Sequence, residues 1–213
     1  MSSPSLIHAR PDDEDRAGVR SISSVTHLRS RSRGARETLS DGSALTLRAL
    51  EPEDGDLLRE VFDGMGPRSR ERRFLTPKHT LTATDLRQLT AVDHHDHEAV
   101  VAFSVTDGRP VGVARLVRGA DHPDTADVAV AVVDAWQDRG VGTALASSLV
   151  ARARELRIRR FALLMAPDNE AAVRLMHRVL GDVEHASVDR ETAEFVVALA
   201  PRHRGGRFVL QGA

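Results

Sequence analysis

Gly140 and Gly142 stand one residue apart in the stretch Gln137-Asp138-Arg139-Gly140-Val141-Gly142-Thr143. An apolar run ends just before it, and a long amphipathic segment follows. Glycine lets a backbone turn tightly and approach a ligand closely. Where a strand passes into a helix, the first helical N–H groups have no partner inside the helix. The helix dipole adds about half a positive charge at the same place. Together these features make a seat for phosphate or pyrophosphate.

Two familiar phosphate loops do not fit the residues. A dinucleotide turn of the form G-x-G-x-x-G needs a glycine where Leu145 stands, and a Walker loop needs a lysine that the stretch lacks. Lys78 is the single lysine of the chain. His94, His95 and His97, set among Asp93, Asp96 and Glu98, suggest a metal site. Their spacing does not match helical histidine pairs and no second ligand cluster exists, so they read as a polar loop entering a strand. With no cysteine in the chain, disulfides, thiolate zinc sites and a cysteine nucleophile are excluded.

The elements that must hold the seat follow from periodicity. Leu45, Leu47 and Ala49 alternate as a first strand. Leu57, Leu58, Val61 and Phe62 form the stripe of a helix starting near Glu51–Asp54 and stopped by Gly64, Gly66 and Pro67. A short helix is expected over Arg68–Phe74, and another over Thr84–Val92 with Thr82 or Thr84 as cap. His97–Val105 and Val111–Val117 read as a hairpin about Asp107-Gly108. Asp127–Val133 is the strand leading into the glycine turn, with Trp136 expected to pack the turn. The helix from about Gly140 carries Leu145, Leu149, Ala153 and Leu156 on one face. Phe161–Met165 reads as a strand buried on both faces. Asn169 caps a helix that Gly181 closes, and Val183–Val188 with Thr192–Leu199 completes an antiparallel pair. This order gives a mixed sheet flanked by helices, α/β in character.

The pattern Gln137-x-x-Gly140-x-Gly142 after an apolar strand, then a long helix, a buried strand, and Asn169 with Ala172, resembles the GNAT superfamily of acyl-CoA-dependent N-acetyltransferases. The resemblance covers roughly residues 44 to 200. The stretch from Ala126 to Gln137, and Arg73-Phe74 followed by Val92-Asp93-His94, is similar to its bacterial protein-lysine acetyltransferase branch. The resemblance implies a central mixed, mostly antiparallel sheet whose central strands splay apart. It implies acetyl-CoA as co-substrate. Backbone N–H groups of Arg139, Gly140, Val141, Gly142 and Thr143 would hold its pyrophosphate, with Gln137 and Asp138 as the cofactor-side residues of the turn. Its pantetheine arm would bond to backbone groups of Val132 and Val133, and Asn169 would hold it from the next junction. Gln137 and Arg139 could equally form a solvated turn, and Asn169 a plain helix cap.

An amine acceptor arrives mostly protonated, since a lysine-type amine has a pKa of about 10.4, so a base is required. Asp127 matches by position the glutamate used in the lysine-acetyltransferase branch. It is one methylene shorter, which favours a bridging water; a surface carboxylate at a strand entry is the alternative. Many superfamily members protonate the departing thiolate with a tyrosine. The matching position is Met176, and the chain has no tyrosine. A thiol pKa of about 8.5 lets the thiolate leave without such an acid.

The bulk properties bound the rest. The 213 residues suffice for one domain with tails, and 41% are hydrophobic. A formal net charge of −1 argues against nucleic acid or an anionic membrane as partner. Residues 1–42 hold no helical or strand period and read as a disordered arm. Residues 43–200 form the domain, and 201–213 a flexible tail. No signal peptide or membrane span is visible, so a cytoplasmic protein is expected. The expected activity is acetyl transfer to a primary amine, a protein lysine foremost, by direct attack. A small-amine acetyltransferase and a non-catalytic acyl-CoA-binding regulatory module are the alternatives. The acceptor pocket is expected to be built by Arg68–Phe74, the 119–125 loop and the last hairpin.

Overall fold

The structure, a computed structural model, describes residues 34–199. The arm as far as residue 33 and the tail from 201 lie outside the described residues. Within the span expected to be arm, Ala35–Thr38 forms a strand, β1, paired antiparallel with β2 (Ala44–Ala49). All four β1 side chains are exposed, so no apolar face marks the strand in the sequence. Leu39, just beyond it, is buried and anchors the turn.

The remaining elements follow the expected order. They are α1 (Gly55–Asp63), α2 (Pro67–Phe74), α3 (Ala83–Thr90), β3 (His97–Ser104), β4 (Pro110–Arg118), β5 (Thr125–Val132), α4 (Val141–Glu155), β6 (Arg160–Met165), α5 (Glu170–Val179), β7 (Val183–Val188) and β8 (Ala193–Ala198). Pro67 opens α2, where its missing N–H costs nothing. Thr82 caps α3 in a reciprocal capping box with Asp85, which selects between the two expected caps. Asp54 stands at the start of α1 but does not cap it. Its carboxylate instead takes both Arg48 nitrogens, at 2.6 and 2.9 Å, and the Glu51 N–H.

The eight strands make one sheet in the order β1-β2-β3-β4-β5-β6-β8-β7. Every neighbouring pair is antiparallel except β5 and β6. Helix α4 covers one face, where Leu145, Leu149 and Ala153 meet Leu45, Leu116, Ala126 and Phe161. The opposite face packs under α1 and α3 through Leu50, Leu58, Leu86, Ala99 and Val101, and through Val61, Met65 and Ala131. Trp136, in a 3-10 turn over Asp134–Trp136, packs against the α4 core as expected. Among the described residues no helix is long and apolar enough to cross a membrane.

β5 and β6 pair over three rows alone, Thr125 with Arg160, Ala126 with Phe161 and Asp127 with Ala162, and then separate. This is the splay that sets the site. It also corrects the reading of β6 as buried on both faces. Leu164 is 52% exposed and lines the opening between β5 and β6.

The histidine loop is consumed locally. Asp93 accepts from the N–H groups of His95, Asp96 and His97, which hold its carboxyl down at about 2. His94 Nδ1 meets Glu98 Oε1 at 2.9 Å, and Glu98 Oε2 takes Arg152 Nε at 2.8 Å. Among the described residues no three His, Cys, Asp or Glu groups converge on a metal position.

Candidate active site

The separation of β5 and β6 opens a cleft of about 740 Å³. Val128 to Val132 form one wall and Leu163 to Met165 the other. The glycine turn closes one end, α5 flanks it through Leu175, Arg174 and Arg178, and α2 contributes Arg68, Ser69, Arg72 and Arg73.

Register decides which backbone groups face the gap. The Val133 N–H donates to the Val111 carbonyl at 3.0 Å, so that pair is hydrogen-bonded toward β4. Antiparallel pairs alternate, so Val130 and Val132 turn their N–H and C=O groups the other way, into the cleft. Val132 therefore stands where expected. Val133 does not: its N–H belongs to Val111 and its carbonyl accepts from Trp136 N–H at 2.8 Å. Its side chain packs toward α1 rather than the cleft. The residue that sequence reasoning missed is Val130, recoverable only once the register is known.

At the turn, Asp138 and Gly140 both take left-handed backbone, φ 56° and 98°. Gly140 caps α4 with no side-chain bond, and α4 carries no acid in its first turn. The first intrahelical bond is Ala144 N–H to Gly140 O, which leaves the N–H groups of Val141, Gly142 and Thr143 without partners in the helix. Gly142, Gly140, Asp138, Gln137 and Thr143 line the cleft. Val141 is fully buried, so it offers only its backbone. The Arg139 side chain turns away, its Nε 2.6 Å from Asp41 and its guanidinium stacked over Trp136 at 4.1 Å. The hydroxyl and N–H of Ser43, then Arg139, hold the Asp41 carboxyl down at about 2.

Gln137 is a brace. Its amide N–H2 reaches Ser69 Oγ, the Val132 carbonyl and Asp134 Oδ1 at 3.0–3.2 Å, tying the turn to α2 and the end of β5. Asn169 lines the cleft and caps α5 by accepting from Ala172 N–H, so the cap and the cleft wall are one residue. Beside it, Asp168 accepts from Arg68 and Arg72, which join α2 to the start of α5 and lower its carboxyl pKa. Arg174 and Arg178 were not singled out by sequence. Their spacing of four on the Asn169 helix was the available signal.

Asp127 lies on the last row where β5 and β6 pair, exposed, next to the first cleft residue Val128. It is not itself among the lining residues. Met176 is buried, and Leu175 faces the cleft instead. Neither the 119–125 loop nor β7 and β8 lines the cleft, whereas α2 does.

A free helix N-terminus beneath a splayed strand pair accepts a ligand with a phosphate end and an extended amide arm. The sequence model of the Acetyltransferase (GNAT) family matches residues 66–182, more than half of the chain. The chain belongs to the GNAT acetyltransferase family. Acetyltransferase PA5475 of Pseudomonas aeruginosa is 30% identical over 120 residues, 55% of this chain and 64% of PA5475. Acetyltransferase Pat of Mycolicibacterium smegmatis is 32% identical over 108 residues, 51% of this chain and 32% of Pat. The chain therefore spans less than two thirds of either relative. The crystal structure of the GNAT domain of S. lividans PAT superposes with a TM-score of 0.71 at 28% identity, covering 78% of this chain and 97% of that one. The splayed β5–β6 pair and the β-sheet order thus sit within a GNAT domain.

Proposed function

We propose that this GNAT domain transfers an acetyl group from acetyl-CoA to a primary amine, a protein lysine foremost. The observation that carries the reading is the β5–β6 gap, with Val130 and Val132 backbone facing it, set over the unpartnered N–H groups of Val141, Gly142 and Thr143. The residues fit the co-substrate. The helix N-terminus suits the pyrophosphate, Arg174 and Arg178 suit further phosphate, and the Val130 and Val132 edge suits the amide arm. Likeness to acetyltransferase Pat and to the PAT GNAT domain supports acyl transfer, and the resemblance of Ala126–Gln137 to the protein-lysine acetyltransferase branch points to lysine as the acceptor class.

Acetyl-CoA supplies an activated thioester: the amine nitrogen bonds to its carbonyl carbon as the carbon–sulfur bond breaks. Asp127 takes the ammonium proton through a water, which its place one residue before the cleft wall requires. The Val132 N–H stabilises the oxygen that gains negative charge. The thiolate departs without a tyrosine acid and takes up, through solvent, the second proton that the nitrogen sheds as the amide forms, as its pKa of about 8.5 permits. A binding-only module is the second reading, favoured by Asp127 standing outside the cleft lining and by the buried Met176.

One assay separates the readings. Purified chain, acetyl-CoA and a panel of lysine peptides and small amines are followed by release of free CoA. Turnover slowed about a hundredfold or more by Asp127→Asn, with acetyl-CoA affinity retained in calorimetry, supports the base assignment, since general bases contribute roughly 10²–10⁴-fold. Wild-type turnover in Asp127→Asn sinks that assignment. Binding without turnover on every amine establishes the module reading.

A further inference from the structure

Behind the wall formed by Ala131 and Met65, a small inner pocket adjoins the cleft, and Arg73 lines both. Arg115 of β4 lines the inner pocket from the sheet side. Only 8% exposed, it stands directly opposite Ala129 of β5. The rest of the pocket is apolar: Leu58, Phe62, Phe74, Leu89 and Val113.

Among the described residues neither guanidinium has a carboxylate. Arg115 donates to the Leu89 carbonyl, and Arg73 has the Phe74 ring at 5.0 Å. The neighbouring arginines differ: Arg68 and Arg72 are paired with Asp168, and Arg118 with Asp96. Two unpaired cations close together in an apolar pocket are each disfavoured by burial and by the other. Burial, then the Arg73 charge, pulls Arg115 down to about 10, and burial lowers Arg73 as well. An anion placed between them relieves both effects. From β5, Ala129 and Ala131 present only methyl groups toward it, and Ala131 lines both the cleft and the inner pocket.

We propose that Arg73 and Arg115 receive a carboxylate carried by one of the two reactants. This deepens the acyl-transfer reading and rests on it. The carboxylate has two possible sources. It is the far end of a dicarboxylic acyl thioester, or it is the α-carboxylate of an amino-acid acceptor. Guanidinium pairs suit carboxylates because their N–H forks match the two oxygens.

Two arms identify the source. With acetyl-CoA held constant, Nα-acetyl-lysine is compared with its neutral amide as acceptor. With the amide held constant, succinyl-CoA is compared with butyryl-CoA. In one arm the carboxylate-bearing reactant is favoured in kcat/KM about ten- to a hundredfold, the worth of one charged hydrogen bond. That ratio collapses toward one in Arg73→Met and is partly restored in Arg73→Lys. Arg115→Met is read alongside with circular dichroism, because Arg115 also holds the end of α3 through Leu89; the half-buried Arg73 carries the test if that variant unfolds. Turnover without carboxylate preference in either arm overturns the proposal and leaves acyl transfer standing. If no pair turns over, acyl transfer fails, and calorimetric titration with succinate decides the anion site. Heat of binding present in wild type and lost in Arg73→Met sustains the site, and no heat in wild type overturns it.

Discussion

At Gly142 the fold does not require glycine. A Cβ built there would meet Leu175 and Val132 at 3.6 and 3.9 Å, ordinary contact distances, and the backbone is not left-handed. Alanine is therefore tolerated structurally. Glutamate is different, because it places bulk and negative charge over the free N–H groups of α4. Gly142→Glu is expected to keep a melting temperature close to wild type while acetyl-CoA affinity falls at least about a hundredfold, the size of a few kcal/mol at RT. Calorimetry against acetyl-CoA checks this; unchanged affinity moves the pyrophosphate elsewhere. Gly140 has the opposite logic. Its φ of 98° is a backbone requirement, which any side chain meets only with strain. Arg139, expected at the pyrophosphate through its backbone N–H, spends its side chain on Asp41 and Trp136. No sequence spacing announces a partner 98 residues away.

Among the elements, α2 lines the cleft and α3 reaches the inner pocket through Leu89, and both bury little of their own. Helix α2 buries no residue fully and is held by cross-element arginine contacts, Arg70 to the Phe62 and Met65 carbonyls and Arg72 to Asp168. Helix α3 depends on its capping box, in which Thr82 Oγ1 accepts from Asp85 N–H at 3.1 Å and Asp85 accepts from Thr82 N–H at 2.8 Å. Thr82→Ala is expected to cost about 1 kcal/mol, the usual worth of a cap, read as a lowered urea midpoint with an unchanged slope. An unchanged midpoint means the cap is compensated elsewhere. These helices were legible because caps and breakers are local signals. β1 was not, because an edge strand with four exposed side chains has no period to read.

For the whole molecule, carboxylates bound to backbone and lysine donors contribute to the acid limit of stability. Backbone donors hold Asp93 at about 2, and Lys78 followed by Thr82 holds Asp85 at about 2, against an ordinary value of 3.8. A depressed folded pKa means the unfolded chain binds protons first as pH falls. The stabilisation is complete above about 3.8 and is lost as pH drops through about 2. Wild type should therefore lose melting temperature across that window. Asp93→Asn should be less stable at neutral pH and show a shallower fall. Parallel curves for the two proteins would show that Asp93 contributes nothing to the acid limit.

The chain's own residues determined the order of elements, the glycine turn, the Asn169 cap and the absence of tyrosine and cysteine. Each of these is local, set by period, capping or composition, and apart from β1, which has no period to read, the elements stood where they were read. Tertiary structure alone decided which atoms face the cleft. Strand register sent the Val133 N–H to Val111 and left Val130 and Val132 toward the gap. At the β5–β6 gap Leu164 lies exposed, although its apolar run reads as buried on both faces. Packing of α2 against the sheet brought Arg73 to the pocket of Arg115 on β4, residues far apart in the chain. A strand's period says which residues share a face, but pairing sets which edge is free, and pairing is a property of two segments at once.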